Sequence, residues 1–197
     1  MQLTRDFPDP ARKGVVLSSE YRQEKVEEIL EPWTSAPWPA GLLSYSIYQD
    51  ADGDLIRDYS QWTDEEALDN SGRAGDRYHL YRGSRSEDGR VPGAMVAVRV
   101  DTDSAELART WVDAVFEALE RDRNLPAGGI GAFFHISTDG RQVLNYAEWE
   151  TAEDHRRALA ANSGSVSAGP LWDRVRTMPG VRQVSVIRYV LHATLAP

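Results

Sequence analysis

The segment Gly131–Trp149, GAFFHISTDGRQVLNYAEW, sets an amide and an indole four residues apart in a strand-like pattern. Alternation along a strand puts Asn145, Ala147 and Trp149 on one face and Leu144 and Tyr146 on the other. Both faces are expected to be covered, so Asn145 presents a polar amide to an enclosed space. An amide there needs hydrogen-bond partners or costs roughly 1–3 kcal/mol. The indole N–H of Trp149 also requires an acceptor when buried. The pair can line a small pocket and point two donors into it. A core tryptophan beside an asparagine satisfied by backbone fits the same spacing, and spacing leaves both readings open.

His155 follows Trp149 by six residues, early in a helical pattern that includes Asp154, Arg156 and Arg157. Facing the pocket, it could act as a general base, because an unperturbed imidazole pKa of about 6.5 suits that role. Facing outward, it is one more surface residue. His135 sits in an apolar strand and either fills the core or lines a pocket. Phe133, Phe134 and Trp172 could wall an aromatic binding space or belong to the core.

Composition narrows the function classes. The chain has 197 residues, a net charge of −9, 27% charged and 41% hydrophobic residues. That suits one domain or two small ones. An acidic chain without a basic stripe is a poor partner for nucleic acid or an anionic membrane surface. There is no cysteine, which excludes disulfides, thiolate nucleophiles and zinc–sulfur sites. No apolar run has the length of a membrane span, and the first residues lack the shape of a signal peptide. A cytoplasmic protein is therefore expected.

The chain also repeats itself. Pro39-Ala-Gly41 returns as Pro126-Ala-Gly128, Asp52-Gly53 as Asp139-Gly140, and Tyr59 and Trp62 as Tyr146 and Trp149. The spacing is constant, since 126 − 39 and 149 − 62 both give 87. A repeat of this length is usually a duplicated structural unit.

Periodicity and turn residues divide the chain into an arm over 1–12, a first repeat over 13–82, a polar linker over 83–93 and a second repeat over 94–197. In the first repeat a strand at 14–18 precedes a helix capped by Ser19 and stopped by Pro32. Its apolar stripe is Val26, Ile29, Leu30 and Trp33. A hairpin over 42–62 turns at Asp52-Gly53. Thr63 caps a short helix, and a strand covers 77–82. The second repeat has a strand at 94–100 and a helix opened by Asp103 and Glu106 in capping-box spacing. Its stripe is Leu107, Trp111, Ala114, Val115 and Ala118. A hairpin over 130–149 turns at Asp139-Gly140. Thr151 caps a helix to about Ala161, a short helix covers 170–178, and a strand covers 181–191. Each repeat reads β-α-β-β-α-β, the ferredoxin-like unit. The expected fold class is α+β: two fused ferredoxin-like repeats whose antiparallel sheets pack into an α+β barrel.

Asn145-Tyr-Ala-Glu-Trp149, followed by Glu-Thr-Ala-Glu-Asp-His155, resembles the antibiotic biosynthesis monooxygenase family. The first repeat carries a weaker version, Asp58-Tyr-Ser-Gln-Trp62. The resemblance spans most of both repeats and implies a small α+β barrel. Its quinone-forming members use no metal, flavin or haem. They deprotonate a phenol or anthrone, pass an electron to molecular oxygen and leave a quinone. The resemblance implies that Asn145 and Trp149 are catalytic and that the substrate is a polycyclic aromatic in antibiotic biosynthesis. Such members place a tyrosine where this chain has His155, and their pocket arginine has only Arg174 as a weak counterpart. The copies are unequal: Asn145 is matched by Asp58, and His155 by Leu68. An ionised carboxylate cannot donate to an oxyanion, so the first repeat reads as a structural partner whose Asp58 and Trp62 help to close the substrate pocket. A buried Asp58 with a raised pKa is the other option. A haem-degrading relative and a non-catalytic binding or scaffold barrel are the alternative functions, and a homodimer of the fused chain is open.

Overall fold

The computed structural model describes residues 2–22, 25–122, 126–160 and 169–197. In chain order the elements are β1 (Gln2–Thr4), β2 (Val15–Ser18), β3 (Glu20–Arg22), α1 (Val26–Thr34), β4 (Leu42–Asp50), β5 (Leu55–Trp62), α2 (Glu65–Ser71) and β6 (Asp76–Arg85). There follow β7 (Ala94–Thr102), α3 (Ala105–Asp122), β8 (Gly129–Ser137), β9 (Gln142–Trp149), α4 (Ala152–Ala160), α5 (Pro170–Arg176) and β10 (Val181–Ala196). The chain forms two compact units, Met1–Leu80 with Arg188–Pro197, and Tyr81–Ile187. The expected α+β class is what the structure has.

In the first unit the strands run β1-β10-β4-β5-β2-β6, with β3 on β5. In the second they run β6-β8-β9-β7-β10. In each, the first strand of the repeat lies between the third and the fourth, as a split βαβ unit requires. The constant spacing of 87 extends to β4 and β8, to β5 and β9, and to the starts of α2 and α4.

The Pro-Ala-Gly turns show why that tripeptide recurs. Gly41 and Gly128 have φ of +78° and +84°. A Cβ on Gly41 would lie 2.4 Å from Cβ of Ala67 in α2, and one on Gly128 2.5 Å from Cβ of Asp154 in α4. Glycine alone allows both the left-handed backbone and this approach of helix to turn. The two Asp-Gly turns differ: Gly140 has φ +71°, whereas Gly53 is not left-handed.

The apolar stripes are buried as expected. Val26 and Trp33 of α1 are in the core of the first unit, with Ile29 and Leu30 packed against it. Trp111, Ala114, Val115 and Ala118 of α3 are in that of the second. Several boundaries differ. Ser19 caps no helix, because the chain first pairs with β5 as β3, and the Ser19 N–H donates instead to Asp58 Oδ1. Pro32 lies inside α1, which runs on to Thr34. It removes one helical donor, while the hydroxyls of Thr34 and Ser35 donate to Glu31 O and close the last turn. Asp64, not Thr63, caps α2, accepting from Ala67 N–H at 2.8 Å. Ser104 caps α3 through Leu107 N–H, and Asp103 is drawn off by Arg182 at 2.9 Å. Thr151 does cap α4, accepting from Asp154 N–H. The expected end of that helix at Ala161 lies outside the described residues. The last strand runs to Ala196 rather than Leu191. No helix of the described residues is long and apolar enough to cross a membrane.

Candidate functional site

Strand β9 carries the densest chemistry, and its neighbours decide which way each side chain faces. Val143 packs in one core with Val100, Phe134 and residues of α3 and α5. Ala147 and Trp149 pack with Ala152 and Ala158 of α4. Asn145 lies between Val143 and Ala147 on the same face, so it too points toward the helices. Its cross-strand partners are Val98 on β7 and Phe134 on β8. Its Oδ1 is buried and has no hydrogen-bond partner. An orphaned amide oxygen among apolar neighbours is a cost of roughly 1–3 kcal/mol that packing alone does not explain.

The other predicted residues divide by face. Trp149 meets His155 edge to face, with ring centroids 4.8 Å apart and planes at 74°. Thr151 and the close turn at Gly128 hold α4 at its start, which presents His155 inward, and His155 is only 7% exposed. Trp172 on α5 is buried in the core that holds Phe134, and Phe134 also meets Phe116 and Trp111 edge-on. Asn145, Trp149, His155, Trp172 and Phe134 therefore share the helix-facing side.

His135 and Phe133 do not join them. They pair with Leu144 and Tyr146, the opposite face of β9. His135 is fully enclosed, with Nδ1 3.0 Å from Phe133 O, and Phe133 packs against Gly83 and under the Arg85 guanidinium. Arg174 is exposed and pairs with Glu117 at 3.3 Å. Among the described residues no group of three or more acidic or histidine side chains is placed to hold a metal.

In the first unit, Asp58 occupies the position of Asn145 and is 6% exposed. Its Oδ1 accepts from Ser19 N–H at 2.6 Å, and its Oδ2 accepts from the Tyr21 hydroxyl at 2.8 Å. Burial pushes its carboxyl up to about 6, against the pull of these hydrogen bonds and of Arg57 and Arg73. Burial and the adjacent Asp58 push the Tyr21 hydroxyl up to about 12. Trp62 is fully enclosed, its Nε1–H given to Ser60 Oγ at 2.9 Å. Tyr21 had no signal in the sequence as a site residue, because it stood inside a predicted helix.

No family model matches the chain. A stretch of 34 residues is 50% identical to tetracenomycin-F1 monooxygenase of Streptomyces glaucescens. It covers 17% of this chain and 30% of that protein, so the match spans under a third of the curated relative. Over the whole chain, the structure is similar to that of an anthrone oxidase-like protein, with a TM-score of 0.72 and 13% identity over 99% of this chain and 96% of that one. A ferredoxin-fold protein from Listeria monocytogenes, related to antibiotic biosynthesis monooxygenases, aligns with a TM-score of 0.54 and 11% identity over 89% and 93%. The fold is that of the antibiotic biosynthesis monooxygenase relatives. A haem-degrading enzyme from Listeria monocytogenes shares it too, with a TM-score of 0.52 and 11% identity over 89% and 98%.

Proposed function

We propose that the chain is a cofactor-independent monooxygenase that oxidises a phenol- or anthrone-type polycyclic aromatic to a quinone, with molecular oxygen as co-substrate. The observation that carries this reading is the orphaned amide of Asn145, held on a helix-facing wall with Trp149, His155 and Phe134. An amide turns about its last torsion to offer either its oxygen or its NH2. It can accept from a substrate hydroxyl and, turned over, donate to the oxyanion left when that hydroxyl loses its proton.

His155 takes the proton. The O–H bond breaks, a ring N–H forms and negative charge spreads over the aromatic system. Asn145 N–H and the Trp149 indole stabilise that charge in an apolar space, where such donors act most strongly. The anion passes one electron to oxygen, and the radical pair recombines as a carbon-bound peroxide. The peroxide takes back a proton and loses water. Anthrone and one O2 become anthraquinone and one H2O. Mass spectrometry after turnover under 18O2 tests the reaction class: one labelled atom in the quinone is expected. Unlabelled quinone, or no turnover of any polycyclic phenol, would favour a binding barrel instead.

The haem reading has less support from these residues. The histidine nearest Trp149 is packed edge-on against the indole, and His135 lies on the other face of the sheet.

A further inference from the structure

A cleft of about 320 Å³ opens on the first unit, where the N-terminal segment, α1 and β10 meet. Leu3, Thr4, Arg5, Leu30, His192 and Ala193 line it. Leu3 pairs with Leu195, so it shares the face on which Ala193 and Leu195 meet the core beside α1. Leu3 is nonetheless 64% exposed, and Leu30 of α1 is only half-buried. His192 is the extra residue of a β-bulge, between Leu191 opposite Tyr48 and Ala193 opposite Ile47. A bulge re-aims a side chain, here toward the cleft. Asp6 N–H donates to Thr4 Oγ1 at 3.3 Å, a turn that fixes the backbone on either side of Arg5. The exposed Arg5 has no ion-pair partner among the described residues. Among those residues no acidic side chain lines the cleft, in a chain whose net charge is −9.

We propose that this cleft binds a small aliphatic carboxylate, its chain against Leu3, Leu30 and Ala193 and its head group on Arg5 and His192. The lining selects that chemistry. A guanidinium offers parallel N–H donors that match the two oxygens of a carboxylate. His192 Nδ1 lies 3.3 Å from Gln49 Oε1. The Gln49 amide presents either end to that nitrogen, so the neutral ring can keep its proton on Nε2 and donate it to the head group. The apolar lining is aliphatic and contains no aromatic ring, which sets this ligand apart from the substrate proposed at Asn145. The volume lies at the small end of ligand pockets and suits a short chain. A bound carboxylate also joins three elements. β1 is an edge strand of three residues with β10 as its neighbour, so a ligand that touches β1, α1 and β10 fastens the N-terminal segment to the unit. The site does not depend on the reaction proposed at Asn145.

Calorimetric titration of the full chain with octanoate tests it. Saturable binding is expected, with 1-octanol and acetate each weaker by about tenfold or more, since one lacks the charge and the other the chain. Arg5→Gln, at an exposed position, should weaken octanoate by about tenfold or more, the usual cost of one hydrogen bond to a charged group. Leu3→Asp should weaken it too, by setting a like charge beside the ligand. Both losses should persist in an Asn145→Ala background, which separates this cleft from the oxygenase pocket. Unchanged octanoate affinity in Arg5→Gln, or equal affinity for octanol and octanoate, would overturn the proposal. So would the absence of saturable octanoate binding to the wild-type chain.

Discussion

Trp149 and His155 pack edge to face at 4.8 Å, across the junction of β9 and α4. The contact joins the indole at the end of β9 to the helix residue that we propose takes the proton. A histidine base works only as neutral imidazole, so the rate should fall on acidification as the ring becomes charged. His155→Gln should lower kcat about 100-fold, within the usual range for a lost general base, and should flatten that acid limb. A full acid limb in the Gln variant would assign the base elsewhere.

Gly128 is the close turn against which α4 packs. Alanine there would meet Cβ of Asp154 at 2.5 Å in a left-handed backbone. Gly128→Ala should cost about 1–3 kcal/mol by strain and displacement of α4. It should lower kcat as well, since α4 carries His155. Thermal unfolding and steady-state kinetics on one preparation would check both effects.

Asp58 makes stability depend on pH with a definite sign. Its folded pKa of about 6 lies above the ordinary aspartate value. The stability it contributes is therefore fully present below about pH 4 and is lost as pH rises through 6. Two pKa units correspond to about 3 kcal/mol. Asp58→Asn should thus be the more stable protein at pH 8, by about 2–3 kcal/mol, and the difference should vanish toward pH 4. Urea unfolding at both pH values reads it directly.

Glu148 is fully buried, and its two carboxylate oxygens accept from Nε and Nη2 along one edge of the Arg85 guanidinium, at 2.7 and 2.6 Å. Arg85→Met leaves that carboxylate without its cation and should destabilise by about 3–5 kcal/mol. Adding Glu148→Met to Arg85→Met should recover most of the loss. Melting temperatures of the single and double variants test this.

Much of this arrangement was legible in the residues. A period of two placed Asn145 and Trp149 together, and a period near 3.6 identified the buried stripes of α1 and α3. The 87-residue spacing marked the recurring strands and the Gly41 and Gly128 turns. Other features depended on pairing that no local pattern contains. Phe133 and His135 share a face with each other, but the hairpin register sets them opposite Tyr146 and Leu144, and so away from Asn145. Ser19 looked like a helix cap because nothing local reveals that Asp58, 39 residues on, takes its N–H. Tyr21 entered the Asp58 cluster for the same reason: β3 formed where a helical pattern was read.

The central claim is that the Asn145 amide stabilises an oxyanion in the second unit. Oxygen uptake at saturating anthrone, comparing wild type with Asn145→Ala, measures it most directly. The expected result is a fall in kcat of about 100-fold or more, the usual effect of removing one oxyanion donor. A variant that folds as wild type does and turns over at the wild-type rate would contradict it.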